Sequence, residues 1–205
     1  MFKAEVYVNR RRALLGQMAA RTVEGSRGIA VFLGNVDAPT NYRGNDYKFR
    51  QDSSFLYYWG IDEPWFAAVL DLESGVECLY GNDVDIDDII WMGPQPSVAS
   101  KGAAIGCQKT APLAEFDKIV REAASKGRPV HFLPPARYYN QMKLSQLTGL
   151  DADAVRKVGP VAAGGASEEL VKAVVSMRLI KEACEIEEID KACEIGYEMH
   201  TIARQ

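Results

Sequence analysis

Two histidines and four cysteines are the side chains best able to serve as base, nucleophile or metal ligand at neutral pH: His131, His200, Cys78, Cys107, Cys184 and Cys193. A cysteine nucleophile needs a partner base and a neighbouring cation that depresses the thiol pKa. Nothing in the sequence points to such an arrangement. His131 lies inside an apolar strand-like run, and His200 shares a helical stripe with Ile189, Cys193 and Gly196. Each is expected to be a packed, hydrogen-bonded residue rather than a ligand or base. The cysteines show no Cys-x-x-Cys spacing, which disfavours a zinc knot or redox pair, and they read as reduced thiols.

Acidic and basic clusters are the next candidates. Asp83-Val84-Asp85-Ile86-Asp87-Asp88 opens like a calcium loop. In that register, however, Asp88 falls where a turn glycine is required and Pro94 where a bidentate glutamate is required. A solvated acidic turn fits better. Arg10-Arg11-Arg12 is expected to form a solvated helix face. Arg50, Gln51 and Asp52 suggest a polar site, but at the entrance to a strand they are better suited to satisfying buried backbone and fixing the strand's register. Gly-x-Ser-x-Gly, the Walker phosphate loop and His-Glu-x-x-His are absent. From these residues alone, no chemistry is assigned.

The elements that would position such residues read as an α/β domain: a mixed β-sheet flanked by helices. Residues 1–20 are helical, with Tyr7, Leu14 and Met18 near helical spacing. Residues 29–33 are a continuous apolar run, hence a buried strand, and residues 35–47 a loop. The aromatic run Phe55-Leu56-Tyr57-Tyr58-Trp59 is expected to be a strand. Residues 66–72 and 76–80 flank Glu73-Ser74-Gly75 as a hairpin, which excludes an all-parallel sheet. Leu113, Phe116, Val120 and Ala123 mark an amphipathic helix stopped at Gly127. A strand at 130–133 and a helix over 136–149 follow.

Beyond Val158-Gly159-Pro160 and Gly164-Gly165 the chain turns helical. Ser167 is placed to cap a helix that carries Glu168 and Glu169 in its first turn and ends near Met177. Another begins near Glu182 and shows no stop signal before Gln205, as expected of an interrupted element. Domain boundaries are therefore expected at 1–160 and 161–205, the second being a linker and the start of a further domain.

With 205 residues the chain can bury a core without disulfides or metals. Its 47% hydrophobic and 25% charged content is that of a soluble globular protein. A net charge of -4 disfavours nucleic acid. No run approaches the roughly 18 apolar residues of a membrane span, and the opening lacks a signal peptide, so the expected location is cytoplasmic.

Three segments carry a resemblance. The first runs from Phe49-Arg50-Gln51-Asp52 through Phe55-Leu56-Tyr57-Tyr58-Trp59-Gly60 to Glu63-Pro64. It resembles the signature of the amino-terminal domain in the aminopeptidase P and prolidase family. Ile90-Trp91-Met92-Gly93 is similar to that family's Trp-aromatic/Met-Gly element. Met177-Arg178-Leu179-Ile180-Lys181, then Glu185-Ile186 and on to His200, resembles the join to the catalytic domain. Many relatives place Ser or Thr after the joining lysine as a helix cap; this chain has Glu182, a poorer cap.

The resemblance implies a non-catalytic amino-terminal domain of a Xaa-Pro aminopeptidase. Two divalent metal ions, commonly manganese, would sit in a following pita-bread domain on two Asp, one His and two Glu. None of those ligands is assigned to this sequence, and no cofactor is expected within it. The implied partners are the chain's own catalytic domain, further copies in a homo-oligomer, and proline-containing peptides as substrates. In some relatives a tryptophan matching Trp91 covers the substrate's amino end in a partner subunit. Against this stands the reading of Trp91 as a partly buried packing anchor. A prolidase parent, or a metal-free relative that binds proteins, also fits these motifs.

Overall fold

The computed structural model describes residues 1–42, 44–85, 89–91 and 93–204. A five-stranded mixed sheet forms its centre, in the order β4-β3-β2-β1-β5. The strands are β1 (Ile29–Leu33), β2 (Ala67–Asp71), β3 (Glu77–Tyr80), β4 (Thr110–Ala111) and β5 (Val130–Phe132). β1–β2 and β2–β3 are antiparallel, whereas β1–β5 and β3–β4 are parallel. The hairpin forms as expected. Asp71 accepts the Glu73 and Ser74 N–H groups, and Gly75 supplies the positive φ of the reversal.

β1 is apolar throughout because both of its faces are covered. Ala30 and Phe32 face helices α1 (Ala4–Ala19) and α2 (Ser53–Trp59), together with Leu14, Met18, Phe55 and Trp59. Ile29 and Val31 face the opposite layer, where α4 (Leu113–Ser125) contributes Phe116 and Val120, and α5 (Tyr138–Thr148) contributes Leu144 and Leu147. Between these, α3 (Val98–Ala104) precedes β4.

The aromatic segment differs from expectation: it is a helix, not a strand. The Asp52 side chain accepts the Ser54 and Phe55 N–H groups, each at 2.9 Å, and Gly60 closes the helix in the left-handed region. Phe55, Tyr58 and Trp59 then share one face and bury completely, leaving Leu56 to solvent. Burial of one helical face outweighs the β-propensity of the aromatics.

After the short parallel pair β6 (Val158–Gly159) and β7 (Ala166–Ser167), the chain enters α6 (Glu168–Leu179) and α7 (Ala183–Arg204). Ser167 caps α6 by accepting the Leu170 N–H. Within the region expected to be linker, Leu170, Ala173 and Val174 of α6 pack in the same core as Leu14 and Met18. α7 buries none of its residues. No described helix is long and apolar enough to cross a membrane.

Candidate functional site

Two of the three motif segments meet. α1, α2 and the α6–α7 joint enclose a groove of about 710 Å3, lined among others by Phe2, Leu56, Tyr57, Arg178, Glu185 and Ile189. At its base lies Arg10, only 2% exposed. The arginine run is thus not a solvated face: Arg10 and Arg11 are both buried, and only Arg12 is exposed. The reason is the set of acceptors they meet. Arg10 donates to the Tyr57 carbonyl at 2.9 Å and to Glu182 Oε2 at 2.9 and 2.6 Å. Arg11 grips both oxygens of Glu77 and also donates to the Tyr58 and Ile105 carbonyls.

Tyr57 is flanked by charge. The Arg10 guanidinium lies 3.9 Å from its ring centroid and that of Arg178 lies 5.5 Å away. Arg178 also donates to Ser54 Oγ at 3.1 Å. Burial opposes the charge of Arg10, but hydrogen bonding and the charge of Glu182 outweigh it and hold its pKa above the ordinary value. Burial is likewise the main cause that raises the Tyr57 phenol, with the Arg10 charge acting against it.

Two of the signature's three polar side chains are spent on backbone groups. Gln51 accepts from the backbone N–H of Asn35 and Asp52 and donates to the carbonyls of Ile61 and Glu63. Asp52 caps α2, while the Arg50 side chain is exposed and its carbonyl accepts from Asn35 Nδ2. Gln51 and Asp52 therefore satisfy backbone groups as expected, but at the start of a helix rather than by fixing a strand's register, and the Arg50 side chain does neither.

His131 is fully buried, with Nδ1 2.6 Å from Ser167 Oγ and Nε2 3.0 Å from the Arg27 carbonyl. Ser167 Oγ in turn donates to Glu169 Oε2 at 2.8 Å. This resembles a Ser-His-acid array in composition only, since Ser167 is buried and serves as a helix cap. Burial pulls the His131 pKa below its ordinary value, opposed by the Arg27 carbonyl and Glu169. His200, expected to be packed, is exposed on α7.

No thiol is activated among those the structure shows shifted. Burial chiefly pushes Cys107 up to about 11, and it raises Cys78 and Cys184 as well. Among the described residues no group of three or more His, Cys, Asp or Glu could hold a metal ion. Asp83 accepts the Val98 N–H at 2.6 Å, while residues 86–88 of the acidic turn lie outside the described residues.

Trp91 stands apart from the groove. It is 88% exposed, and its neighbour Ile90 is exposed too, so within this chain Trp91 is not a partly buried anchor. Met92 lies outside the described residues.

Known proteins match this architecture. The family profile "Aminopeptidase P, N-terminal domain" matches residues 7–131. The chain is 28% identical over 199 residues to Xaa-Pro aminopeptidase 3 of Homo sapiens, covering 91% of this chain and 37% of that protein. It is 23% identical over 189 residues to the mitochondrial intermediate cleaving peptidase 55 of Arabidopsis thaliana, covering 90% of this chain and 35% of the relative. In structure it is similar to proline aminopeptidase P II from Yersinia pestis, with a TM-score of 0.72 at 22% identity over 98% of this chain and 45% of that one. The low-pH form of Escherichia coli aminopeptidase P gives 0.71, also at 22% identity, over 98% and 44%. This chain thus spans less than half the length of these relatives, and the part they share is their mixed-sheet N-terminal fold. The chain belongs to the aminopeptidase P N-terminal domain family.

Proposed function

We propose that this chain is the non-catalytic amino-terminal domain of a Xaa-Pro aminopeptidase, contributing oligomer contacts and one wall of the active-site cleft. Two divalent metal ions, manganese by resemblance, belong in this reading to a following catalytic domain. There they would activate water for attack on the Xaa-Pro carbonyl. No residue of this chain is assigned to them.

The observation that supports the reading is the contrast between the signature and Trp91. The signature side chains Gln51 and Asp52 are consumed by backbone groups inside the domain. Trp91 projects its indole almost wholly into solvent. A large aromatic can cover apolar substrate and accept an ammonium on its ring face. In this reading Trp91 closes over the substrate's amino end in a partner subunit.

Steady-state kinetics of Trp91→Ala in a protein carrying both domains test this. A lost cation–π and stacking contact of about 1–2 kcal/mol raises KM roughly 5- to 30-fold, with thermal stability unchanged. An unchanged KM contradicts the covering role.

A further inference from the structure

α7 is a helix of 22 residues, about 33 Å long at 1.5 Å per residue, and none of its residues is buried. The link that leads into it holds nothing down either. Leu179 and Ile180 are exposed, Ile180 by 80%, and Ile180 adopts extended backbone that breaks the helical path. The attachment lies in the first turn. Glu182 Oε2 receives both Nε and Nη2 of Arg10, and Glu185 Oε2 lies 3.7 Å from the same guanidinium. Arg10 is itself fixed to the body by the Tyr57 carbonyl and ring.

Helix initiation and attachment are separate here. A residue in the capping position ordinarily spends its side chain on the helix's own N–H groups. At this joint the Glu185 carboxylate reaches back to the Glu182 N–H at 3.1 Å, one half of a capping box. The Glu182 carboxylate caps none of the helix N–H groups and binds Arg10, with the Cys184 thiol donating to the same oxygen at 3.7 Å. The glutamate that makes a poor cap makes a long arm.

We propose that the Arg10–Glu182 pair is a clasp that sets the direction in which α7 leaves the domain. Because the Glu182 side chain is 42% exposed, the clasp is sensitive to ionic strength while the packed α1–α2 contact is not.

Glu182→Ser is the decisive variant, since serine restores a good cap and removes the arm. The readouts are hydrogen exchange of the Glu185 and Ile186 amides and the residue-182 amide, which are bonded in the first turn of α7, and small-angle X-ray scattering of the whole chain, at low salt and at about 0.5 M NaCl, a salt level at which exposed charges are screened beyond a few ångströms. The clasp predicts at least several-fold faster exchange and a broader distribution of maximum dimensions in the variant, with helical content by circular dichroism unchanged. Salt moves the wild type the same way and leaves the variant unaffected. Identical exchange and scattering in wild type and variant overturn the clasp. So does a loss of helical content alone, which would make Glu182 a helix starter, or a salt response that persists in the variant.

Discussion

Arg10 holds Tyr57 twice: it donates to that residue's carbonyl at 2.9 Å and lies 3.9 Å from the centroid of its ring. Arg11 repeats the device one residue on, donating to the Tyr58 carbonyl at 3.0 Å and lying 4.8 Å from the Trp59 ring centroid. The last turn of a helix presents carbonyls without intrahelical partners and the negative end of the helix dipole. Two consecutive arginines on α1 satisfy both needs for α2. They fix the two helices in register over the same face of the sheet.

That register has a measurable cost when broken. Arg11→Ala leaves the Glu77 carboxylate and the Tyr58 and Ile105 carbonyls without their donor. The expected loss in equilibrium urea unfolding is about 3 kcal/mol or more. Arg12→Ala, on the exposed side of the same helix, is expected to stay within about 0.5 kcal/mol.

The cap of α2 is a second test. Asp52→Ala removes the acceptor for the Ser54 and Phe55 N–H groups and should cost about 1–2 kcal/mol, whereas Asp52→Asn retains most of it. A strand in this segment would respond to neither change.

Gly60 is required at its position. Its φ is +65°, and a Cβ there would lie 2.3 Å from Tyr7 Cζ. Gly60→Ala is therefore expected to destabilise by about 2 kcal/mol or more, through backbone strain and displacement of the buried Tyr7 ring.

Much of the fold is legible in the sequence, and the exceptions have two causes. The 66–80 hairpin, the Phe116–Val120 helix face and the Ser167 cap are local patterns, and each formed where expected. The composition of the aromatic run 55–59 suggests a strand where the structure has a helix. The helical spacing of Phe55, Tyr58 and Trp59 and the Asp52 cap were the better signals. The burial of Arg10 and Arg11 is not legible locally because their partners are distant in sequence: Tyr57 and Tyr58, each 47 residues on, and Glu182, 172 residues from Arg10. Of the site residues, Gln51 and Asp52 were read from their position, whereas the partner of Glu182 could not be. Its mismatch with the family's Ser or Thr was the one available hint.

Stability should fall on mild acidification. The folded-state pKa of His131 lies below its ordinary 6.5 because burial penalises the imidazolium. The unfolded chain therefore binds more protons, and the contribution of His131 is present above pH 6.5 and lost as pH falls through the folded value. The groups facing it are Ser167, the Arg27 carbonyl and, through Ser167, Glu169, whose own lowered pKa acts in the same direction but around and below 4.5. Urea midpoints between pH 7 and pH 5 should decline in the wild type and flatten in His131→Gln. Equal slopes would place the proton elsewhere.

The most direct test of the central claim compares two proteins under one assay: this 205-residue chain, and a protein in which it is joined to a metal-binding catalytic domain. Each is loaded with manganese and given a Xaa-Pro peptide, and release of the amino-terminal residue is followed. The account predicts steady release by the two-domain protein and none above background by this chain. Metal-dependent release by this chain alone would contradict it and require a catalytic centre among its own residues.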